Sequence, residues 1–429
     1  MKKIFEKWNS INLVLRILCG IVIGASLGLF ARGLEITEEM SFIGVLGSLF
    51  VGALKGLAPI LVFILIISSI ATAKNTLDKK FGTILLLYMG TTLLASVVAV
   101  CASFIFKVKV VLDVAGVNQT APEGIGEVMR TLLNNLVQNP ISSIIGGNYL
   151  GILFWAILFG IALRAASDKT KELIGDLSAA VSTCIRWVIS LAPFGILGLV
   201  FTTVCENGLE IFVDYGALLA VIVGCMLLVA LVINPLIASF MIGKNAYPLV
   251  FRCLRESGLT AFFTRSSAAN IPVNMRLCEK LGLDKNMYSV SIPLGATINM
   301  DGAAITIAVM SLCAAFSTGT GVPFFSALLL SVLATLAACG ASGVAGGSLL
   351  LIPMACSLLN VPADVAMQMV GIGFIIGVVQ DSVETALNSS GDVLFAAVAE
   401  MRQMKKEGKS IDHILHGTAA PAEEDKSVS

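Results

Sequence analysis

Apolar runs long enough to cross ~30 Å of hydrocarbon recur along most of this 429-residue chain. They lie near 11–30, 42–73, 81–106, 150–166, 185–204 and 215–241. A fold in water would have to hide all of them behind a charged skin. Only 13% of the residues are charged, against roughly 25% in a soluble domain, which is too few. The 28 basic residues are balanced by 28 acidic ones, so no basic excess awaits the phosphates of a nucleic acid. A soluble enzyme, a disordered chain and a nucleic-acid-binding protein are excluded. What remains is an all-α polytopic membrane protein.

The ten cysteines are scattered through apolar sequence without a CxxC pair, and read as small core residues rather than a disulfide or metal framework. Both histidines, His413 and His416, fall in the C-terminal tail, so none serves as a ligand or proton shuttle within the membrane. Lys2, Lys3 and Lys7 lead into a long Gly-rich span, unlike a cleavable signal. The charged flanks alternate in sign. Glu35, Glu38 and Glu39 follow the first span, and Lys74, Lys79 and Lys80 the second. Arg164, Lys169 and Lys171 follow the fourth, Glu206, Glu210 and Asp214 the fifth, and Lys244, Arg252 and Arg255 the sixth. The positive-inside rule puts the N-terminus in the cytoplasm and returns every second loop there. Residues 107–148 carry both signs and read as a partly ordered external excursion. The tail, 401–429, reads as a solvated cytoplasmic end, so both termini are expected in the cytoplasm.

The second half departs from simple spans. The segment 254–276 has basic residues at both ends and a poor membrane helix in its middle, Thr264-Arg-Ser-Ser-Ala-Ala-Asn-Ile-Pro272. A hairpin entering and leaving by one face satisfies both facts. The segment 324–359 is apolar but broken by Cys339-Gly-Ala-Ser-Gly-Val-Ala-Gly-Gly-Ser348. Small residues that let helices approach closely also explain that run. Two interrupted segments of similar size favour a midplane site built from half-helices.

No lysine, arginine or histidine occurs between Lys285 and Arg402. Asp301, Asp381, Glu384 and Asp392 nevertheless lie within apolar sequence there, while Asp364 and Glu400 are expected near the surfaces. An ionised aspartate at mid-bilayer costs at least ~2.5–3.5 kcal/mol. Polar contacts between helices or a solvated cavity would lower that cost. Otherwise the groups are protonated, or something outside the segment neutralises them; a bound cation and a substrate ammonium are the economical candidates. Asp381, Thr385, Asn388 and Asp392 follow one another at four, three and four residues, one stripe of a helix, with Glu384 beside it. Such a stripe offers mainly oxygens, the ligands that hard cations take. Asn299 and Asp301, two apart, cannot share a helix face. Gly295 and Gly302 bracket them, which predicts a local unwinding that frees carbonyls.

These stretches resemble a known family. Ser291-Ile-Pro-Leu-Gly-Ala-Thr-Ile-Asn-Met-Asp-Gly302 is similar to the NMDG signature of the dicarboxylate/amino acid:cation symporters, the glutamate transporter family. Arg265-Ser-Ser-Ala-Ala-Asn-Ile-Pro272 resembles the tip of that family's first hairpin, and Gly340 to Ser348 the tip of its second. Asp381-Ser-Val-Glu-Thr-Ala-Leu-Asn-Ser-Ser-Gly-Asp392 resembles its last-helix motif. Order and spacing hold from the first span to about Glu400.

The resemblance implies eight transmembrane helices plus two re-entrant hairpins, assembled as a homotrimer in a bacterial inner membrane. It implies a cytoplasmic N-terminus at 1–10, scaffold helices over 11–73 and a transport-unit helix over 74–106. The external excursion and trimerisation helices follow over 107–214. The transport unit occupies 215–400, with hairpins near 254–276 and 324–359, and 401–429 is the tail. Asp381 then takes a substrate ammonium, Ser266 and Ser267 cradle its carboxylate, and Thr385, Asn388 and Glu384 complete the substrate pocket. Gly295, Asn388 and Asp392 match one sodium site. Thr297 with carbonyls near Ala338, Cys339 and Ala341 matches a second, and Tyr88, Thr91, Thr92, Asn299 and Asp301 a third. Sodium is a coupling ion, and no cofactor is implied.

The chain departs from the family pattern at two places. Glu384 stands where members with acidic substrates carry arginine, so a small neutral side chain bearing a hydroxyl fits better. Glu384 in turn is expected to find its counter-charge in Arg265. Ala338 and Ala341 replace Ser and Thr of some members, and Ala345 replaces proline; backbone ligation survives these changes. Sodium-driven uptake of serine and threonine is the expected function. The rivals are a proton-coupled carrier with Glu384 as its proton site, a channel, and an intramembrane hydrolase using two of Asp301, Asp381 and Asp392, of which Ser390-Gly-Asp392 would be a motif fragment.

Overall fold

A computed structural model describes residues 13–72, 79–112, 134, 137–146, 148–339 and 346–416. Helices form all the regular structure among them. Seven stretches are long and apolar enough to cross a membrane: Leu15–Gly33, Phe42–Ser68, Gly82–Phe106, Asp168–Ser190, Ile211–Ile242, Lys285–Ser317 and Ala363–Lys406. Their outer faces are apolar: Leu86, Ile105, Trp187 and Phe240 are 71%, 74%, 67% and 88% exposed. Asn270, Asn299, Asp301 and Asp392 are wholly buried. Polar groups inside and apolar groups outside are the reverse of a soluble fold, and a bilayer is the solvent that favours it. The protein is a multi-pass membrane protein.

The first half forms helices that pack chiefly on one another. These are α1 (Leu13–Gly33), α2 (Phe42–Ala71), α5 (Tyr149–Leu163), α6 (Asp168–Ser190) and α7 (Ala192–Asn207). Gly20 and Gly24, one turn apart, let α1 lie on α7. A Cβ at either would stand 2.4 Å from the Pro193 carbonyl oxygen or 2.5 Å from that of Leu197.

Two boundaries differ from the expected spans. The apolar run 150–166 yields α5, 15 residues long or about 22 Å, short of the hydrocarbon thickness. The run 185–204 is not one helix. Ser167 caps α6, its hydroxyl accepting from the Thr170 N–H, and α6 ends at Ser190. Pro193 in the first turn of α7 has no N–H to continue the ladder, so a new helix begins there. Apolarity alone runs straight through that break.

The second body packs around α17 (Ala363–Lys406), 44 residues or about 66 Å long. Against it lie α3 (Lys79–Phe106), α8 (Ile211–Leu228) and α9 (Asn234–Ile242), the last two joined by a π turn over Val229–Ile233. The first interrupted segment gives α10 (Tyr247–Cys253), a π turn, α11 (Leu259–Thr264) and α12 (Ser267–Lys280). The signature stretch gives α13 (Lys285–Ile298) and α14 (Asp301–Ser317). The second interrupted segment gives α15 (Phe324–Ala338), a 3₁₀ turn and α16 (Ile352–Leu358). A short α4 (Pro140–Gly146) precedes α5. Most of the expected external excursion, and the start of the second hairpin tip including Ala341 and Ala345, lie outside the described residues.

The start of the tail is not solvated as expected. Helix α18 (Asp412–His416) folds back on α10, and Ile411, Ile414 and Leu415 are buried beside Leu249, Val250 and Leu281. Lys405 donates to the Ile242 carbonyl at 2.7 Å, and Lys244 pairs with Asp412 at 2.6 Å. The ion pair is half-exposed and contributes about 0–1 kcal/mol at most; burial of the three aliphatic side chains holds the helix. Glu400, expected near a surface, is 8% exposed and accepts the Asp284 N–H with both oxygens at 3.1 and 3.0 Å.

Removing most of a buried isoleucine costs roughly 2–5 kcal/mol, more than a five-residue helix can spare. In Ile414→Ala, α18 should undock, and trypsin should cut after Lys405, Lys406 or Lys409 at least about tenfold faster. Unchanged cleavage in detergent-solubilised protein would contradict the docking.

Candidate functional site

The buried carboxylates meet where α17 passes the two interrupted segments and the break between α13 and α14. Asn299 and Met300 leave helical geometry there, with φ, ψ of −88°, 83° and −124°, 47°. This is the unwinding expected between Gly295 and Gly302. It turns Asn299 to α17: its Nδ2 donates to the Asn388 carbonyl at 2.9 Å and to Asp392 Oδ1 at 3.0 Å. The Gly302 N–H, at the start of α14, donates to Asn388 Oδ1 at 2.8 Å. Both glycines permit close approach. A Cβ on Gly302 would stand 2.8 Å from Glu384 Cα, and one on Gly295 2.7 Å from Asp392 Oδ1.

Asp392 and Asp301 anchor two neighbouring clusters. Tyr88 on α3 donates its hydroxyl to the Asp392 carbonyl at 2.9 Å. Asp392 Oδ2 and Asn299 Oδ1 are buried without a hydrogen-bond partner. Asp301 Oδ1 accepts from Thr92 Oγ1 at 3.1 Å, and Oδ2 from Asn234 Nδ2 at 3.0 Å. Thr91 turns its hydroxyl to the Leu87 carbonyl at 2.8 Å. Tyr88, Thr92, Asn299, Asp301, Gly295, Asn388 and Asp392 are thus brought together as a buried, oxygen-rich core. No group of three or more His, Cys, Asp or Glu gathers among the described residues. Amides, hydroxyls and single carboxylates suit a hard, weakly charged cation and not a transition metal.

Asp381 has a basic partner from outside its segment. Helix α11 ends in Arg265, whose left-handed φ of 52° is uncommon for a side chain of this size. The turn brings its Nε to 2.7 Å from Asp381 Oδ2, both side chains less than one-tenth exposed. The Gly346 N–H faces Asp381 Oδ1 at 3.3 Å. Ser266 caps α12, accepting from the Ala269 N–H at 3.2 Å. Behind this tip, Asn270 donates to Ser389 Oγ at 2.8 Å and Asn274 to the Ser389 carbonyl at 3.0 Å. Those amides fix the first interrupted segment against α17.

The expected Glu384–Arg265 pair does not form, because Asp381 takes the guanidinium. Glu384, one turn on from Asp381, is held by neutral donors instead. Its Oε2 accepts from Thr306 at 2.8 Å, Ser348 at 2.9 Å and Gln380 at 2.5 Å. Thr385 is buried but spends its hydroxyl on the Asp381 carbonyl at 2.7 Å. Of the second expected cation site, Ala341 lies outside the described residues; Thr297 is exposed and its hydroxyl turns back to the Leu294 carbonyl at 2.7 Å. Ala338 is buried, and Cys339 lies 3.5 Å from the Ile298 carbonyl.

Asn234, Thr306, Ser348, Gln380, Asn270 and Asn274 are site residues that the sequence reading passed over. A lone amide within apolar sequence is the signal for two of them: Asn234 stands in Val-Ile-Asn-Pro-Leu, and Gln380 lies one turn before Glu384.

Gly302→Ala should cost about 1–3 kcal/mol through overpacking and lower the thermal midpoint of the purified protein. Gly377→Ala is the control, since its nearest neighbour would be a flexible methyl 3.9 Å away. Equal midpoints for the two variants would contradict the close approach of α14 and α17.

Comparison with known proteins finds a family and near full-length relatives. The Sodium:dicarboxylate symporter family matches residues 13–401. A serine/threonine transporter SstT of Bifidobacterium adolescentis is 55% identical over 417 residues, covering 97% of this chain and 96% of the relative. Those of Streptococcus thermophilus and Streptococcus agalactiae are 53% and 54% identical, covering 95% and 93% of this chain and 100% and 98% of the relatives.

Proposed function

The chain belongs to the Sodium:dicarboxylate symporter family, and on that premise we propose that it imports serine and threonine together with sodium across a bacterial inner membrane. The observation that carries the reading is the state of Glu384. It stands where relatives with acidic substrates carry arginine, yet it is held by three neutral donors. The pocket beside Asp381 therefore offers no spare cation to a side-chain carboxylate. Hydroxyl and amide groups remain, which suit serine and threonine, the substrates in the names of full-length relatives.

Asp381 receives the substrate ammonium, a charge-assisted contact that shares the carboxylate with Arg265. Ser266, Ser267 and the N-terminus of α12 receive the substrate carboxylate, and Thr385 and Asn388 line the same pocket. Sodium occupies the clusters around Asp392, with Gly295 and Asn388, and around Asp301, with Tyr88, Thr91, Thr92 and Asn299. A further sodium site forms from Thr297, Ala338, Cys339 and Ala341 when the second hairpin closes. Sodium favours the loaded, closed arrangement through its higher affinity for that state.

The separate packing of the two helix sets supports an elevator. The first, second, fourth and fifth spans form the trimer scaffold. The third and sixth spans, two re-entrant hairpins and the last two long helices carry the substrate, completing an eight-span design with both termini cytoplasmic. A hydrolytic role needs two aspartates sharing a proton. Asp301, Asp381 and Asp392 each have different partners. The burial of Glu384 among neutral donors favours one second reading, coupling to protons through that residue.

Labelled serine uptake into proteoliposomes under separately imposed gradients tests both. A sodium gradient alone should drive accumulation, and a proton gradient alone should not. Asp381→Asn should abolish uptake while leaving a monodisperse, folded oligomer. Accumulation driven by protons in the absence of sodium would replace the first reading with the second.

A further inference from the structure

Asn234 is the sole hydrogen-bonding side chain in the run 229–238, and burying an amide among apolar groups is unfavourable unless both its ends find partners. The π turn over Val229–Ile233 immediately precedes it. A π turn inserts a residue into the helical register, and here it brings Asn234 inward. The residue is 2% exposed, while Leu231, Val232 and Leu236 around it are 37%, 38% and 57% exposed. Its Nδ2 donates to Asp301 Oδ2 at 3.0 Å. That orientation is dictated by chemistry, since an ionised carboxylate only accepts. The other end of the amide, Oδ1, is buried with no hydrogen-bond partner.

Asn299 repeats the pattern two residues before Asp301. Its Nδ2 is satisfied by Asn388 and Asp392, and its Oδ1 is buried without a partner. Thr92 holds the opposite oxygen of Asp301. The cluster thus has a carboxylate and two amide oxygens, and no basic side chain pairs with Asp301 among the described residues. Two buried amide oxygens left without donors, on side chains that hold buried carboxylates, call for a cation, and a carboxylate with neutral oxygens suits a hard monovalent one.

We propose that Asn234 is a ligand residue of the cation site centred on Asp301, steadying the carboxylate with Nδ2 and giving Oδ1 to the ion. The inference rests on the sodium-coupled reading and adds a residue contributed by α9, outside the signature stretch and outside α3. One amide serves both partners because its donor and acceptor ends are distinct groups. The π turn then has a function: it sets the register that aims this one amide into the site.

Serine uptake by the full-length protein in proteoliposomes, measured against sodium concentration, tests the assignment. Asn234→Leu removes both ends of the amide and should raise the half-saturating sodium concentration about tenfold or more. Half-saturating serine, measured at saturating sodium, should stay within about twofold. Asn234→Asp adds a second carboxylate and should lower half-saturating sodium. Opposite displacements mark a ligand, because mere damage to packing moves both variants the same way. Values within about twofold of the parent in both variants, or displaced in the same direction, overturn the proposal. Should the leucine variant not fold, the aspartate variant decides alone: a lower value supports the assignment, an equal or higher value overturns it. A parent protein indifferent to sodium would instead remove the reading beneath it.

Discussion

Four carboxylates sit buried on α14 and α17 with one buried arginine among them, and the rest of the second body is arranged around that imbalance. Asp301, Asp381, Glu384 and Asp392 are at most 6% exposed. Arg265 pairs with Asp381 alone. Ionised groups leave water at a cost of several kcal/mol each, so neutral donors must surround the others. The break at Asn299 and Met300 supplies an amide and a helix N-terminus. The left-handed Arg265 supplies the guanidinium. Gly295 and Gly302 allow the backbones near enough for these bonds to form. Each is a local departure from regular helix, tolerated because it faces protein and not lipid.

This explains why polar residues are so unevenly placed. The first body is joined by small residues such as Gly20 and Gly24 and by aliphatic contact, with little buried charge. The second body holds the amide and hydroxyl networks. Asn270 and Asn274 tie the first interrupted segment to Ser389, and Ser348 ties the second to Glu384. Both interrupted segments are thereby referred to one helix, α17, whose stripe from Asp381 to Asp392 serves substrate and cation alike in the proposed mechanism.

Much of this was legible in the residues. Long apolar runs disclosed the bilayer as solvent. The spacing of Asp381, Thr385, Asn388 and Asp392 disclosed one buried polar stripe of a helix, and the glycines around Asn299 disclosed the broken helix. Other features resisted for physical reasons. Apolarity has no marker for a break such as that before Pro193, since both halves are equally greasy. The docking of α18 depends on three aliphatic residues in a charged tail, too few to stand out from a solvated end. The partner of Glu384 depends on competition that the sequence does not show: Asp381 lies three residues earlier on the same helix, and the one buried arginine beside them pairs with Asp381. Asn234 was missed because its inward aim comes from a π turn, which leaves no periodic trace.

The central claim is that these buried carboxylates are completed by cations that arrive with the substrate. Equilibrium binding of labelled serine to the purified protein, measured with sodium and with choline at equal ionic strength, tests it most directly. Serine affinity should rise steeply with sodium and be lost in choline. Equal serine affinity in the two salts would contradict it.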